Sequence, residues 1–415
     1  MLFKEAKTKT HCLRTSFLMG MALLVLLPGC QQFELLAPQE PVTIRFLYGG
    51  SEAYFQELIE QFNEECPHIT VELQSYGGGF FAPGRGSQEI DVFIGSQEMI
   101  SFMLENDALI SLNGLIAEDE DFNLSDFYPS TIQALSTEGE RWGIPLAVDM
   151  LMVHYNKDLF DRAHAPYPDL GWTWDGFLER AIAVSNPDAG IFGYAYHFTG
   201  NLGFLEPMVF IYQRGGRVFD DLQRPTRATF NEPLNVEAMQ WYGDLINKYG
   251  IAPRPGERTM PYPETGIEEG KYAMWLDWYS ERHEGINEGV APLPPGSAPG
   301  TMASVVGLFI SSDSANPEAS WEWAKFVSQQ MFVDLVPARR SLAESDDYIR
   351  LAGEDSAAAV RASMEALISL NMDISGQLNS SWGIVADALS TALLKIRNGE
   401  DPQGALNEAQ EKSGF

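Results

Sequence analysis

An α/β fold built on parallel strands is the class that the sequence predicts. The segment Val42–Tyr48 alternates apolar residues on one face, as a half-buried strand does. Ser51 can cap a helix that follows, whose apolar residues recur at helical spacing: Phe55, Leu58, Ile59 and Phe62. Residues 69–73 then return to strand character. A third short apolar run follows at 91–94. Strands that alternate with helices in this way are typical of a sheet with parallel strands.

Helix start signals recur through the rest of the chain. Thr173 precedes an amphipathic stretch that it is expected to cap, and Asn235 is expected to cap another. The sequence Asn316-Pro317-Glu318 predicts a further helix start. Proline suits the first helical position, and an acidic side chain is favourable at the positive end of the helix dipole.

The first 29 residues are predicted to be a signal peptide. A basic leader precedes the apolar stretch 17–27, which is too short to span a bilayer and ends at Leu27-Pro28-Gly29-Cys30. This order resembles the lipobox of bacterial lipoproteins. The resemblance implies that Cys30 is linked to a diacylglycerol and that residues 30–41 form a tether. The other interpretation is an ordinary signal peptide that contains a cysteine.

The composition of the sequence excludes several classes of function. The full sequence of 415 residues is 45% hydrophobic, which is enough for a large core and for two domains. A net charge of −31 argues against nucleic acid and against anionic lipid surfaces as partners. The six histidines show no metal-ligand spacing, so neither a metal nor a cofactor is expected. Cys66 is expected at a buried helix end, without a disulfide partner.

The order of segments along the mature chain resembles the family 1 extracellular solute-binding proteins, the maltose-binding-protein-like receptors of ABC importers. The sharpest single match is Tyr155-Asn156-Lys157-Asp158 after an apolar strand. The segments that carry the resemblance are 54–73, 89–96, 141–160, 171–181, 229–251, 268–276 and 307–327.

This resemblance implies a periplasmic-binding-protein-like fold, with two α/β lobes joined by crossing hinge segments and a ligand cleft between them. It puts 42–148 and about 290–332 in lobe 1, and 149–289 and about 333–415 in lobe 2. It also implies a monomer that is not an enzyme. Such a receptor works outside the cytoplasm, anchored to the outer face of the cell membrane or periplasmic, and delivers a small solute to the membrane subunits of the importer.

Several candidate ligand-binding residues follow from the same resemblance. Sugars present apolar C–H faces and a ring of hydroxyls, so their sites combine aromatic platforms with polar partners. Asp149 lies where the chain is expected to cross first between the lobes. Trp278 and Tyr279 follow an apolar strand, and Trp382 precedes a long helix. The structural alternatives are a cap or a hinge salt bridge for Asp149 and core packing for the aromatic residues.

Other candidates come from loops that follow strands, since such loops line the cleft of open α/β sheets. Tyr48 and Ser51 follow the first predicted strand, Tyr76 follows the second, and Ser96 and Gln97 follow the third. Ordinary turn chemistry explains the glycines near these positions equally well.

Three further residues complete the predicted site. Ser304 precedes an apolar strand where the family backbone approaches the cleft. Arg340 resembles the Pro-x-Arg region of the family, and Phe204 is a candidate from the second lobe. The alternative for Arg340 is a structural salt bridge.

The solute is predicted to be a mono- or oligosaccharide. Other small polar solutes, such as a polyamine or a glycerophosphodiester, stay open. A lipid-anchored glycosidase would need two carboxylates placed across a glycosidic bond, and no acid/base motif stands out among the 58 acidic residues. A surface adhesin or scaffold would not need a closing cleft.

Overall fold

The computed structural model describes residues 40–75, 89–197, 200–220, 226–255, 263–297, 300–332, 334–365, 367–369 and 382–414. Its strands are β1 (Val42–Tyr48), β2 (Ile69–Ser75), β3 (Val92–Ser96), β4 (Ser136–Thr137), β5 (Glu140–Arg141), β6 (Gly143–Asn156), β7 (Met274–Trp278), β8 (Glu288–Ala291), β9 (Thr301–Ile310), β10 (Val336–Pro337) and β11 (Leu367–Ser369).

The helices pack around these strands. They are α1 (Glu52–Glu65), α2 (Ile100–Glu105), α3 (Asn113–Glu118), α4 (Pro129–Ala134), α5 (Lys157–Ala163), α6 (Trp174–Val184), α7 (Gly200–Gln213), α8 (Pro233–Asn247), α9 (Pro263–Glu268), α10 (Pro317–Val327), α11 (Arg340–Ala343), α12 (Asp346–Ala352), α13 (Glu354–Met364), α14 (Trp382–Arg397) and α15 (Pro402–Lys412).

The predicted β-α-β unit at the start of the mature chain is confirmed. β1 pairs in parallel with β2 on one side and with β3 on the other. The hydroxyl of Ser51 accepts a hydrogen bond from the Tyr54 N–H (3.4 Å) and so caps α1. β9 then runs antiparallel to β3, and β6 runs antiparallel to β9. The first sheet therefore has the order β2-β1-β3-β9-β6-β10.

β6 belongs to both lobes. Its first part, Gly143 to Met150, pairs with β9. Its second part, Leu151 to Asn156, pairs with β7 and β8, in the second lobe. One fourteen-residue strand thus passes from one sheet to the next. β9 also passes between the lobes, because Met302 near its start packs in the second core, whereas its later residues from Ala303 to Ile310 pack in the first. These strands are the crossing segments that the resemblance implies.

Two large hydrophobic cores correspond to the two lobes. The first joins β1, α1 and α10, and the second joins β7, α8 and α14. The predicted division put about 333–415 in lobe 2. Buried residues from Val336 to Met364 instead pack in the first core, whereas those from Val385 to Ala409 pack in the second. The chain therefore passes between the cores once more after residue 364.

Two local expectations need correction. Asn235 does not cap α8, because the helix begins at Pro233 and the buried Asn235 side chain donates to the carbonyl oxygens of Arg217 and Thr229 (both 2.6 Å). Cys66 is buried at the end of α1, as expected. However, the structure gives Cys66 a disulfide bond, so the expectation that it has no partner is wrong. The other cysteine of that bond lies outside the described residues.

The described helices include none whose length and apolar character would allow it to cross a membrane.

A buried ion pair ties α10 to the rest of lobe 1, and breaking it should destabilise the fold. Lys325 Nζ lies 2.7 Å from Asp119 Oδ2, and Glu322 lies 3.3 Å from the same ammonium group. Asp119→Ala is expected to lower the free energy of unfolding by about 3 kcal/mol, since it leaves a buried charge with only Glu322 as partner. Urea unfolding measures this change.

The matched control for this prediction is Asp347→Ala, which breaks the exposed pair between Asp347 and Arg350. We expect it to cost less than about 1 kcal/mol. Equal losses in the two variants would contradict the structural role of the buried pair.

Candidate functional site

The candidate site lies where the crossing strands pass between the two sheets. Asp149 on β6 is paired with Ser304 on β9, and Leu151 two residues later is paired with Trp278 at the end of β7. Ser96, the last residue of β3, is paired with Val306 on β9. This edge of the first sheet holds the carboxyl ends of its parallel strands, where open α/β sheets bind ligands.

Asp149 is held by the segment that follows β7. The Ser280 backbone N–H donates to Asp149 Oδ1 (3.1 Å), and the Ser280 hydroxyl donates to Asp149 Oδ2 (2.6 Å). Burial raises the pKa of Asp149, and the hydrogen bonds from Ser280 only partly offset that effect. A carboxylate offers about four acceptor positions, so Asp149 can still accept hydrogen bonds from a bound molecule.

Four of the predicted residues are half-buried at this edge: Asp149, Ser304, Ser96 and Trp278. The Ser304 hydroxyl donates to Glu98 Oε2 at 3.4 Å, a long hydrogen bond. Trp278 packs against the second core with part of its ring surface still accessible. The group thus combines an apolar indole face with hydroxyl and carboxylate groups, which is the chemistry that a polyhydroxylated solute requires.

Tyr48, Gln97 and Tyr279 are buried and have structural roles. The Tyr48 ring lies 4.8 Å from that of Phe55 and is only 2% exposed. The Gln97 amide is used by β9, since Nε2 donates to the Ala303 carbonyl (3.1 Å) and Oε1 accepts from the Val305 N–H (3.3 Å). Tyr279 packs in the first core. The described structure therefore does not support them as ligand contacts.

Ser51 and Arg340 also have structural roles. The Ser51 hydroxyl caps α1. The Arg340 guanidinium pairs with both carboxylate oxygens of Glu365 and lies 4.2 Å above the Tyr128 ring. The structural salt bridge that was the alternative for Arg340 is therefore what the structure shows.

The remaining predicted residues cannot be placed. Tyr76 and Cys30 lie outside the described residues. Trp382 begins α14 and Phe204 lies within α7, but their side chains are outside the described part of the structure. Their roles stay predictions.

Sequence reasoning missed the contacts around Ser280. This serine comes directly after Trp278 and Tyr279, yet its partner Asp149 is 131 positions away in the chain. The contact of Tyr348 on α12 with Tyr279 was also missed, because the two residues are 69 positions apart in the chain. The Tyr348 hydroxyl donates to the hydroxyl of Tyr279 (3.3 Å). The available signal was only the proximity of Ser280 to two candidate aromatic residues.

A separate cavity of about 630 Å³ lies in the second lobe, away from the crossing. Lys248, Arg254, Lys271 and Tyr272 are among its lining residues. Phe192 also lines it, and the Phe192 N–H donates to the Lys271 carbonyl at the start of the strand pairing that leads to β7. Since β7 ends at Trp278, this cavity lies at the opposite end of the second sheet from the candidate site. The described residues contain no group of three or more acidic, histidine or cysteine side chains placed to hold a metal ion.

Solved structures share the whole fold. An ABC substrate-binding protein from Listeria monocytogenes in complex with cycloalternan superposes with a TM-score of 0.69 at 22% identity, over 90% of this chain and 98% of that one. UgpB from Mycobacterium tuberculosis in complex with glycerophosphocholine gives a TM-score of 0.68 at 18% identity, over 90% and 98% of the two chains. These similarities confirm the two-lobed fold.

Sequence comparison leads to the family. The galactooligosaccharide-binding protein of Bacillus subtilis (strain 168) is 26% identical over 302 residues, which are 68% of this chain and 67% of that protein. The family model for bacterial extracellular solute-binding proteins matches residues 48–330. That match covers more than half of the chain and most of both lobes. The chain therefore belongs to the bacterial extracellular solute-binding protein family.

Proposed function

We propose that this chain is the solute receptor of an ABC importer and that it binds a mono- or oligosaccharide between its lobes. The observation that carries the proposal is the placement of Asp149, Ser304 and Trp278 together at the crossing of β6 and β9. A solute that contacts these residues would touch both lobes. Its binding would therefore favour a closed arrangement of the two lobes.

The chemistry of these side chains favours a sugar. The accessible face of Trp278 can stack against the C–H face of a pyranose ring. Asp149 accepts hydrogen bonds from hydroxyl groups, and the Ser304 hydroxyl can donate or accept. The carbohydrate ligands named for the Listeria and Bacillus relatives support the same class of solute.

A glycerophosphodiester is the runner-up, supported by the glycerophosphocholine complex of the Mycobacterium protein. The choline cation would suit Asp149, and a polyamine would suit it for the same reason. A phosphate group, however, would need cationic partners. Among the predicted site residues only Arg340 is cationic, and it is paired with Glu365. The sugar therefore remains the first choice.

Catalysis receives no support from the described site. A glycosidase needs one carboxylic acid and one carboxylate on either side of the bond that it cleaves. Asp149 is instead hydrogen-bonded to Ser280, and the relatives reported above are binding proteins. We therefore propose a receptor that is not an enzyme.

The proposal includes a lipid anchor at Cys30. Its support is the basic leader, the apolar stretch and the cysteine that follows Leu27-Pro28-Gly29. An anchor on a short tether would hold the receptor near its importer, where a high effective concentration favours delivery.

A thermal-shift screen tests the class of solute. The panel contains maltotriose, galactooligosaccharides, mannitol, glycerophosphocholine and spermidine. A bound solute at about 100 times its Kd should stabilise the protein by about 2.7 kcal/mol, which raises Tm by several degrees. Stabilisation by spermidine alone, or by glycerophosphocholine alone, would overturn the sugar assignment.

Removing the indole of Trp278 should weaken sugar binding. Trp278→Ala is expected to raise the Kd by roughly 30-fold, or about 2 kcal/mol, because aromatic platforms carry much of the energy of such sites. Isothermal titration calorimetry measures the change. The matched control is Trp142→Ala, since Trp142 is also half-buried against a core but lies before β6, far from the crossing. Equal losses of affinity in both variants would contradict the role of Trp278.

Replacing Cys30 should release the protein from the membrane. We expect Cys30→Ser to move the chain from the membrane fraction to the soluble extracytoplasmic fraction, because the sulfur that carries the lipid is gone. Cys66→Ser is the control and should stay in the membrane fraction. Retention of Cys30→Ser in the membrane fraction would contradict the anchor and would leave the Cys30 sulfur available as the disulfide partner of Cys66, since one sulfur cannot carry both bonds.

A further inference from the structure

Residues 279–287, which connect β7 to β8, form a segment that we call the strap. At one end the Tyr279 N–H donates to the Met150 carbonyl on β6 (2.8 Å), and its hydroxyl accepts from Tyr348. Tyr279 and Tyr348 both belong to the first core. Ser280, the next residue, holds Asp149. This end of the strap therefore joins lobe 1 to a wall of the candidate site.

The other end of the strap is held by Glu288, the first residue of β8. Glu288 Oε1 lies 2.6 Å from Nδ1 of His154 on β6 and 3.4 Å from the Arg282 guanidinium. Glu288 Oε2 accepts from the His283 N–H (3.3 Å) and lies 3.4 Å from the His283 ring. A single buried carboxylate thus contacts β6 and two residues of the strap.

The tautomer of His154 follows from these contacts. An ionised carboxylate can only accept hydrogen bonds. Nδ1 of His154 therefore carries the hydrogen and donates it in the hydrogen bond to Glu288. Nε2 is buried and has no hydrogen-bond partner among the described residues. The ring of Trp275 stacks beside it, with 6.0 Å between the ring centroids.

The contacts of Glu288 also change the protonation of His283, a side chain that can change its charge near neutral pH. Burial disfavours its charged form, but Glu288 outweighs burial, and the pKa of His283 is raised. Asp277 on β7 and Glu268 on α9 also raise this pKa. The pKa of Glu288 is lowered, because hydrogen bonds from His154 and His283 and the charge of Arg282 outweigh its burial. Glu288 is therefore ionised throughout the neutral range.

Arg282 connects Glu288 to the first residue of the strap. Its guanidinium lies 4.5 Å above the Tyr279 ring while it pairs with Glu288. Ser280 lies between Tyr279 and Arg282 in the chain and donates its two hydrogen bonds to Asp149. Any loosening of residues 282 and 283 therefore reaches the Ser280 hydrogen bonds within two or three residues.

We propose that Glu288 is a positioning residue for the solute site: it fixes the strap, and with it the Ser280–Asp149 contact, and this hold weakens when His283 loses its charge. The part of this inference that concerns solute affinity rests on the proposed function. The hold on the strap itself is a property of the free protein.

The direction of the pH effect follows from the raised pKa of His283. A histidine whose pKa is raised in the folded protein contributes its stabilisation at low pH and loses it as pH rises through that raised value. The strap should therefore be tightest at about pH 6 and looser at about pH 8. Glu288 stays ionised across this window, and the variant His283→Asn tests whether the change comes from His283.

Hydrogen–deuterium exchange of the strap tests the hold without any solute. After correction for intrinsic exchange, wild-type amides in 279–287 should exchange about tenfold faster at pH 8 than at pH 6, the size expected for loss of one charged contact. His283→Asn should exchange fast at both pH values. The matched control His164→Asn removes an exposed histidine at a left-handed position that asparagine tolerates, and should behave like wild type.

A binding series tests the consequence for the site. The Kd for maltotriose and for galactooligosaccharides should rise several-fold from pH 6 to pH 8 in the wild type and should be independent of pH in His283→Asn. Glu288→Gln, which keeps the shape of the side chain and loses its charge, should bind weakly at both pH values. Should Glu288→Gln fail to fold, Arg282→Gln removes one contact from the more exposed side of the network, and a smaller loss of the same sign is expected.

The possible outcomes separate the two proposals. If strap exchange follows pH through His283 but no panel solute binds, the positioning role stands and the proposed function fails. If a sugar binds with the same Kd in wild type, His283→Asn and Glu288→Gln, the proposed function stands and the positioning role is overturned. Strap exchange that is the same at both pH values in all variants also overturns it.

Discussion

The pairing of β6 with β9 is the constraint on which the rest of the structure depends. Both strands pass between the lobes, so their register sets which residues meet at the crossing. A shift of one residue would turn Asp149 and Ser304 to the other face of the sheet. Because so much of β6 is buried and paired on both sides, such a shift would also disrupt both cores. The stability of the fold and the geometry of the site are therefore fixed by the same hydrogen bonds.

The polar residues at the crossing divide into two groups. The Gln97 amide is hydrogen-bonded to the backbone of β9, and the Arg340 guanidinium forms an ion pair with Glu365. Both side chains therefore stabilise the fold. Asp149 is also hydrogen-bonded, but it keeps acceptor capacity and partial exposure. Burial of a polar group without partners is costly, whereas a half-buried carboxylate with two donors is already held in position. That difference separates a supporting residue from a candidate contact.

Local patterns predicted local structure well. The alternation in 42–48 predicted β1 with its correct bounds, and Asn316-Pro317-Glu318 predicted the start of α10. The same alternation places Tyr48 on the buried face with Phe46, as the structure shows. Contacts such as Ser280 with Asp149 could not be predicted, because they depend on how distant segments pair. Asn235 was expected to be a cap because asparagine is a favoured N-cap residue, and its hydrogen bonds to the carbonyl oxygens of Arg217 and Thr229 leave no trace in the local sequence.

The route of the chain through the two cores has a consequence for how the protein is made. The first core takes residues from 44 to 152 and again from 303 to 364, together with Tyr279 and Val290, while the second takes most buried residues from 151 to 302 and again from 385 to 409. Neither lobe is built from one continuous stretch, so a growing chain cannot complete either core until distant segments have been synthesised. Such a chain stays incompletely folded for most of its synthesis, and its second core can be completed only when the last hundred or so residues, about a quarter of the chain, have been made.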